Sequence, residues 1–189
     1  MKICLIGETS IGKTCLCNSI MGADFDKFSE PTIGASFYSK KLKNFYDDKI
    51  HIWDTAGQER YRSLSPMYTR DCDIIMLILH KIDCWRNNFE YWIRFYLKNC
   101  DNNTQLMIVF SKMDIVEKTP DNNDILYVEN ILTQNNLKSK ILFHSSKNKT
   151  GNMEIEKEII NLSKNISKYR KKRTDIKYGR DEYWCCNVM

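Results

Sequence analysis

Residues 7–14 read GETSIGKT, the spacing G-x-x-x-x-G-K-T of a phosphate-binding loop. The apolar run 3–6 precedes this loop and an unbroken stretch 15–21 follows it, which predicts strand, loop and helix in that order. Gly7 and Gly12 let successive backbone N–H groups turn toward a phosphate, and the helix N-terminus adds its dipole. Lys13 would then reach the β- and γ-phosphates, and the Thr14 hydroxyl would ligate Mg²⁺. The alternative is an ordinary glycine-containing turn with a solvated lysine.

Polar residues also follow or precede other apolar runs. Asp54 ends one such run and could hold Mg²⁺ through water, with Gly57 and Gln58 close behind to approach a terminal phosphate and orient an attacking water. Asp114 follows another run and could accept two hydrogen bonds from a guanine edge. Thr32 lies in the loop before the second strand. Taken singly, each has an ordinary alternative as a helix cap, a turn cap or a loop residue.

The elements that would position these loops alternate along the chain. Strands are predicted at 3–6, 36–43, 49–54, 74–79, 106–110 and 140–144, with a hairpin turn at 45–48. Helices are predicted after the phosphate loop and at 85–99, 124–134 and 153–169. This order predicts an α/β fold with a six-stranded, mostly parallel sheet, one antiparallel edge strand and helices on both faces. Ligands bind such sheets at the carboxyl ends of the strands.

Composition narrows the class of protein. The net charge is +5, and residues 164–189 carry all of this excess, with eight Lys/Arg and three Asp/Glu. A basic tail on a neutral body argues against a nucleic-acid reader and favours an anionic membrane surface. No run of about 18 apolar residues suggests a membrane span, and the first strand begins too early to expect a signal peptide. The eight cysteines form no C-x-x-C pair, so we expect reduced thiols in a cytosolic protein.

Over residues 1–170 the chain resembles the Ras-like small GTPases, which have the P-loop NTPase fold, and within them the Rab family. The resemblance is most specific in the phosphate loop and in WDTAGQER at 53–60, which continues as YRSLSPMY. The segments IGASF at 33–37 and KIHIW at 49–53 are similar to sequences that separate Rabs from other Ras relatives. The run EPTIGASF at 30–37 is most similar to the early-endosomal Rab subgroup.

The resemblance implies a role for each matching residue. Catalysis falls to Gln58 and Lys13, Mg²⁺ ligation to Thr14 and Thr32 with Asp54 behind a water, and effector binding to Phe37, Trp53 and Tyr68. Two switch segments, about 27–37 and 57–70, would lose order when the γ-phosphate leaves. The residues implied to bind GTP or GDP are Gly7, Glu8, Thr9, Ser10, Ile11, Gly12, Lys13, Thr14, Cys15, Phe25, Pro31, Thr32, Asp54, Gly57, Ser111, Lys112, Asp114, Ser145, Ser146 and Lys147.

Several positions depart from the family pattern. Ser111 replaces the usual Asn, although the Rho branch uses Thr there, and Ser146 replaces an Ala whose backbone does the binding. Asp71 replaces the usual Gly, and residues 80–83 replace a strand end that usually carries Tyr-Asp. These changes leave the phosphate chemistry intact but put the subgroup, and with it the compartment, in question.

The chain ends in a basic cluster at 168–173 and the sequence WCCNVM at 184–189. Cys185 and Cys186 resemble the double-prenylation site of Rabs, and the last four residues also fit C-a-a-X with a terminal Met that favours farnesyl. We therefore expect a GTPase domain over 1–170 and a flexible, lipid-modified basic tail over 171–189. The alternative is an unmodified tail.

The resemblance implies a GTP-hydrolysing switch on the cytoplasmic face of an intracellular membrane, most similar to endosomal Rabs, that cycles with the cytosol. Implied partners are effectors, an exchange factor, an activating protein, and Rab escort or GDP-dissociation inhibitor proteins. Two rival functions stay open. A small-molecule P-loop kinase would need a lid that this chain lacks, and a nucleotide-locked adaptor would not need Gln58.

Overall fold

A computed structural model describes residues 1–42 and 49–178. The strands within these residues are β1 (Lys2–Ile6), β2 (Ala35–Lys40), β3 (Ile50–Thr55), β4 (Ile74–Leu79), β5 (Gln105–Phe110) and β6 (Ile141–Phe143). The α-helices in the same part of the chain are α1 (Lys13–Met21), α2 (Ser65–Thr69), α3 (Trp85–Asn99), α4 (Asn122–Gln134) and α5 (Asn152–Tyr178). Two short 3₁₀ helices, Glu59–Leu64 and Val116–Lys118, lie in the loops after β3 and β5.

The strands form one sheet in the order β2-β3-β1-β4-β5-β6. All neighbours are parallel except β2 and β3, which are antiparallel, and β2 is one of the two edge strands. The predicted fold class is confirmed. Because β1 lies between β3 and β4, the chain reverses its direction of winding at the end of β1, the point at which ligands bind such sheets. The phosphate loop starts there.

Each face of the sheet carries its own hydrophobic core. On one face α1 and α5 pack through Leu16, Ile20, Ile155 and Ile159 onto the odd-numbered residues of β1. On the other face α3 and α4 cover Cys4, Ile6 and the central strands, and their largest buried side chains are aromatic. β4 is buried at every position, as expected of a parallel central strand that is covered on both faces. These cores make β1, β4 and β5 a rigid base for the loops at their carboxyl ends.

Some boundaries differ from the prediction. α4 begins two residues early because Asp121 forms a capping box: its carboxylate accepts from the Asp124 backbone N–H, and Asp124 accepts from that of Asp121. α5 continues nine residues past the predicted end, since no Gly or Pro interrupts the sequence before Gly179. β2 and β6 are shorter than predicted, and the predicted hairpin turn at 45–48 lies outside the described residues. No described helix combines the length and apolar character needed to cross a membrane.

Candidate functional site

The phosphate loop curls at the carboxyl end of β1 because its glycines permit it. Gly7 has a φ of +141°, and a Cβ there would lie 2.6 Å from the Ile78 carbonyl oxygen. A side chain at Gly57 would collide with the Glu8 backbone and the Lys13 amino group. Both positions therefore require glycine, and the loop after β3 packs directly on the phosphate loop.

Lys13 lies at the centre of this loop and is buried. Its Nζ donates to the carbonyl oxygens of Gly7 at 3.0 Å and Glu8 at 2.6 Å. Burial lowers the pKa of Lys13 to about 8, although the charges of Asp54 and Glu8 oppose the shift. An anionic phosphate beside Nζ would favour the charged form again.

Three oxygen-bearing side chains meet next to Lys13. Asp54 is fully buried, and its Oδ2 accepts from Thr14 Oγ1 at 2.7 Å and from Thr32 Oγ1 at 3.2 Å. The two threonine hydroxyls are 2.9 Å apart. Burial raises the pKa of the Asp54 carboxyl, while these hydroxyls and Lys13 act in the opposite direction. Its Oδ1 is buried without a hydrogen-bond partner in the described structure.

This arrangement fits Mg²⁺. The ion prefers oxygen ligands, and it commonly keeps several waters while using one or two carboxylates. A buried carboxylate oxygen without a partner, beside two hydroxyls that converge on one point, offers such a donor set. Thr32, 18 residues after Thr14 in the sequence, reaches this point from the loop before β2.

A second group of residues joins the ends of β5 and β6. Ser145 Oγ donates to Asp114 Oδ1 at 2.7 Å, and the Asn148 N–H donates to Ser145 Oγ at 3.1 Å. Lys112 lies over the phosphate loop, where its Nζ donates to the Ser10 carbonyl oxygen at 2.6 Å. Asp114 is thereby held by the loop after β6.

Ser111 also contacts the phosphate loop. Its Oγ lies within hydrogen-bond distance of the Ile11 carbonyl oxygen and 3.1 Å from that of Leu79. A hydroxyl carries one hydrogen, so it donates to only one of these carbonyls at a time. Ser111 therefore links β5 to the phosphate loop, but with one donor fewer than an amide would supply.

A cleft of about 560 Å³ connects the phosphate loop with the β5 and β6 loops. The predicted residues that line it are Thr9, Ser10, Gly12, Lys13, Thr14, Cys15, Phe25, Pro31, Thr32, Gly57, Gln58, Ser111, Lys112, Asp114, Ser146 and Lys147. The other predicted residues, Gly7, Glu8, Ile11, Asp54 and Ser145, lie behind this lining and support it.

Six lining residues were missed by the sequence analysis as ligand contacts: Asp26, Lys27, Ser29, Glu30, Thr55 and Ile115. All six lie within the proposed first switch segment or directly beside a predicted site residue, so this proximity was the available signal. The side chain of Glu8 points elsewhere: its carboxylate accepts from Arg62 and Trp92, which no sequence pattern indicated.

The three predicted effector residues form a contiguous aromatic surface. Phe37 and Trp53 pair across β2 and β3, with ring centroids 5.3 Å apart, and Trp53 and Tyr68 are 5.9 Å apart. Phe37 is 55% exposed. His51 extends this surface by stacking on Phe37 at 5.5 Å.

The fold and the phosphate-loop site define a Ras-like GTPase domain. Residues 2–114 match the family described as "Ras of Complex, Roc, domain of DAPkinase". Among curated proteins, the chain is 34% identical over 122 residues to the Ras-related protein Rab-5B of Plasmodium falciparum. The matched region covers 62% of this chain and 58% of that protein. The chain is 34% identical over 122 residues to human Rab-22A, covering 62% and 61% of the two chains.

A third relative is covered more fully. The chain is 33% identical over 136 residues to the Ras-related protein Rab-31 of Rattus norvegicus, covering 69% of each. This chain belongs to the Rab family of Ras-like small GTPases. It spans about three fifths of the length of the first two relatives.

Proposed function

We propose that this protein is a GTP-dependent switch that binds Mg²⁺ and GTP, hydrolyses GTP slowly and recruits effectors in membrane traffic. The observation that carries the proposal is the convergence of Thr14, Thr32 and Asp54 beside buried Lys13 at one part of a cleft that also reaches Asp114. A phosphate chain lies against Lys13, while the base lies against the β5 and β6 loops.

Guanine selectivity rests on Asp114. Ser145 satisfies one carboxylate oxygen and fixes the side chain, which leaves acceptors for two donors on the guanine edge. Adenine does not offer that pair of donors. Phe25, 41% exposed at the rim of the cleft, packs on the base, and Lys112 covers the phosphate loop beside it.

Hydrolysis is attack of water on the γ-phosphate in line with the bond to the β-phosphate. Gln58 lines the cleft next to Gly57 and orients the water, and Lys13 neutralises charge on the β- and γ-phosphate oxygens. Thr14, Thr32 and, through a water, Asp54 would hold Mg²⁺, which would supply further neutralisation of the phosphate charge. Gln58 and Lys13 thus position the reactants and neutralise charge. The bond from the water oxygen to the γ-phosphorus forms as the bond to the β-phosphate oxygen breaks.

An activating protein completes the site. No arginine lies among the described residues that line the cleft, and Arg62 is occupied by Glu8. Without such a cation, intrinsic turnover is expected on the order of 10⁻⁴ s⁻¹. An exchange factor opposes the activating protein by releasing GDP.

Effectors bind the surface formed by Phe37, Trp53 and Tyr68, in which Phe37 belongs to the first switch segment and Tyr68 to the second. The contact of the Ala56 N–H with the Gly34 carbonyl oxygen, at 2.8 Å, couples these segments and lets both respond to the γ-phosphate. Cys185 and Cys186 lie outside the described residues; as prenylation sites they anchor the protein to an endosomal membrane, and GDP-dissociation inhibitor or escort proteins carry it between membrane and cytosol.

A single-turnover assay tests the proposal. Wild-type protein should hydrolyse GTP but not ATP, only with Mg²⁺, and Gln58→Leu should bind GTP normally but hydrolyse it about tenfold more slowly or worse. Gln134→Leu, at the end of α4, is the matched control and should behave as wild type. Equal hydrolysis by wild type and Gln58→Leu would remove Gln58 from the mechanism, and GTP binding without any hydrolysis would favour the adaptor.

A further inference from the structure

The carboxylate of Glu8 ties the phosphate loop to two other elements. Both its oxygens accept from Nη2 of Arg62 at 2.7 Å, and Oε1 also accepts from Trp92 Nε1 at 3.1 Å. Arg62 belongs to the 3₁₀ helix Glu59–Leu64 and Trp92 to α3. The Glu8 and Arg62 side chains are only 18% and 33% exposed, so water screens this ion pair less than one at the open surface.

Arg62 is held from a second side by α3. Its guanidinium lies 4.8 Å from the ring centroid of Tyr91, within the range of a cation–π contact. The Tyr91 and Trp92 rings meet edge to face at 5.2 Å. Arg62 therefore bridges a rigid helix and the phosphate loop, and its position is determined by both.

Arg62 lies in the second half of the short 3₁₀ helix Glu59–Leu64. Gln58 precedes the 3₁₀ helix, its side chain makes no capping hydrogen bond, and the Tyr61 N–H donates to its carbonyl oxygen at 2.9 Å. Hydrogen-bond geometry in 3₁₀ helices is poorer than in α-helices, so short ones depend on tertiary contacts. With three residues per turn, Arg62 lies little more than one turn from Gln58, and fixing Arg62 limits where Gln58 can move.

The backbone of Glu8 also packs against Gly57, because a side chain at Gly57 would collide with the Glu8 carbonyl group. Gly57, directly before Gln58, thus packs on Glu8. Arg62, four residues after Gln58, forms an ion pair with Glu8. We infer that Glu8, Arg62, Tyr91 and Trp92 form a clamp that holds Gln58 at the phosphate part of the cleft, which makes Glu8 and Arg62 positioning residues for GTP hydrolysis.

The inference rests on the proposed function, and the test separates the two. Glu8→Gln removes the charge at constant size, and Arg62→Met removes it while keeping an apolar contact with Tyr91. Arg94→Met, which breaks the exposed pair of Arg94 with Glu90 on the same helix α3, is the matched control. Hydrogen exchange of a peptide that covers residues 57–64 is measured on the full-length protein in GDP and Mg²⁺, together with single-turnover GTP hydrolysis.

Each clamp variant should speed exchange in residues 57–64 and slow hydrolysis about threefold to tenfold, and the double variant should be no worse than the stronger single variant. Arg94→Met should change neither quantity. Adding Glu8→Gln to Gln58→Leu should slow hydrolysis no further, because the clamp acts through Gln58.

Unchanged exchange in both single variants, or effects that add in the double variant, would overturn the clamp. Faster exchange with unchanged hydrolysis would overturn the positioning role. If the wild-type protein hydrolysed no GTP, the proposed function would fail, while the exchange measurements would still decide whether the clamp exists.

Discussion

Ser111 shows how one side chain can replace another with a different number of donors. Its single hydroxyl hydrogen is donated to the carbonyl of either Ile11 or Leu79, whereas an Asn amide carries two hydrogens. A net hydrogen bond is worth about 0.5–1.5 kcal/mol, or roughly twofold to tenfold in affinity. Ser111→Asn should therefore slow GDP release by about that factor.

The matched variant Ser111→Ala, which loses the link to the phosphate loop, should speed release. The measurement is dissociation of a fluorescent GDP analogue in Mg²⁺ from the three proteins. Equal or faster release from the Asn variant would mean that the hydroxyl already does all that the amide could do.

Asp71 is another departure from the family pattern, at a position where Gly is usual. Its φ is +55°, the left-handed region, where glycine is free of the strain that a Cβ introduces. Its ion pair with Arg70, at 3.8 Å between two largely exposed side chains, offsets little of that strain. Asp71→Gly should leave the free energy of unfolding unchanged or raise it by up to about 1 kcal/mol, because relief of strain is partly offset by backbone entropy.

Asp71→Val places a β-branched residue at the same φ and should lower the free energy of unfolding by about 1–2 kcal/mol. Urea denaturation of the three proteins measures both differences. A valine variant as stable as wild type would show that the loop relaxes out of the left-handed conformation.

At the scale of elements, His144 joins β6 to α5. It is fully buried, and its Nε2 is 2.9 Å from Asn152 Oδ1, while Asn152 in turn donates to Ser19 of α1. Burial lowers the pKa of the His144 imidazole, with Asn152 and Asp114 acting in the opposite direction. This junction holds the loop that supports Asp114.

The sign of the pH effect follows from that direction. As the pH falls below about 6.5, the unfolded chain takes up a proton that the folded His144 resists, so the folded state loses stability. We expect His144→Gln to weaken the fall in stability between pH 7.5 and 5.5. Urea denaturation at both pH values measures the free energy of unfolding. An identical pH dependence in wild type and variant would show that His144 does not contribute to the loss of stability at low pH.

At the scale of the whole molecule, the folded domain carries no net charge outside residues 164–189, and the basic excess lies next to two cysteines near the chain end. One lipid chain anchors a protein weakly, so a second signal is needed for stable membrane binding. Changing Cys185 and Cys186 to Ser together should move the protein from the membrane pellet to the supernatant.

Each single Cys→Ser variant is the control and should retain part of the membrane-bound fraction, because the basic cluster at 168–173 and the remaining cysteine still act together. Membrane pelleting of the double variant equal to that of wild type would rule out a prenyl anchor at these positions.

The sequence by itself determined the phosphate loop, because its residues are contiguous and their spacing alone makes the turn. It also indicated Asp54 and Asp114, since residues that follow parallel strands must meet at one edge of the sheet. The helical structure of residues 59–69 was not predicted, because its two helices are too short to show an apolar period. Pro66 alone is a weak signal of a helix start.

Only the tertiary structure decided which way the side chain of Glu8 points. Its partners Arg62 and Trp92 are 54 and 84 residues away and lie on elements whose relative position depends on how α3 packs on the sheet. The same holds for the hydrogen bond between Thr14 and Thr32, because a loop with no regular structure brings Thr32 there. Local spacing specifies what a strand end or a glycine loop can do, whereas contacts between distant loops depend on the packed positions of the elements that carry them.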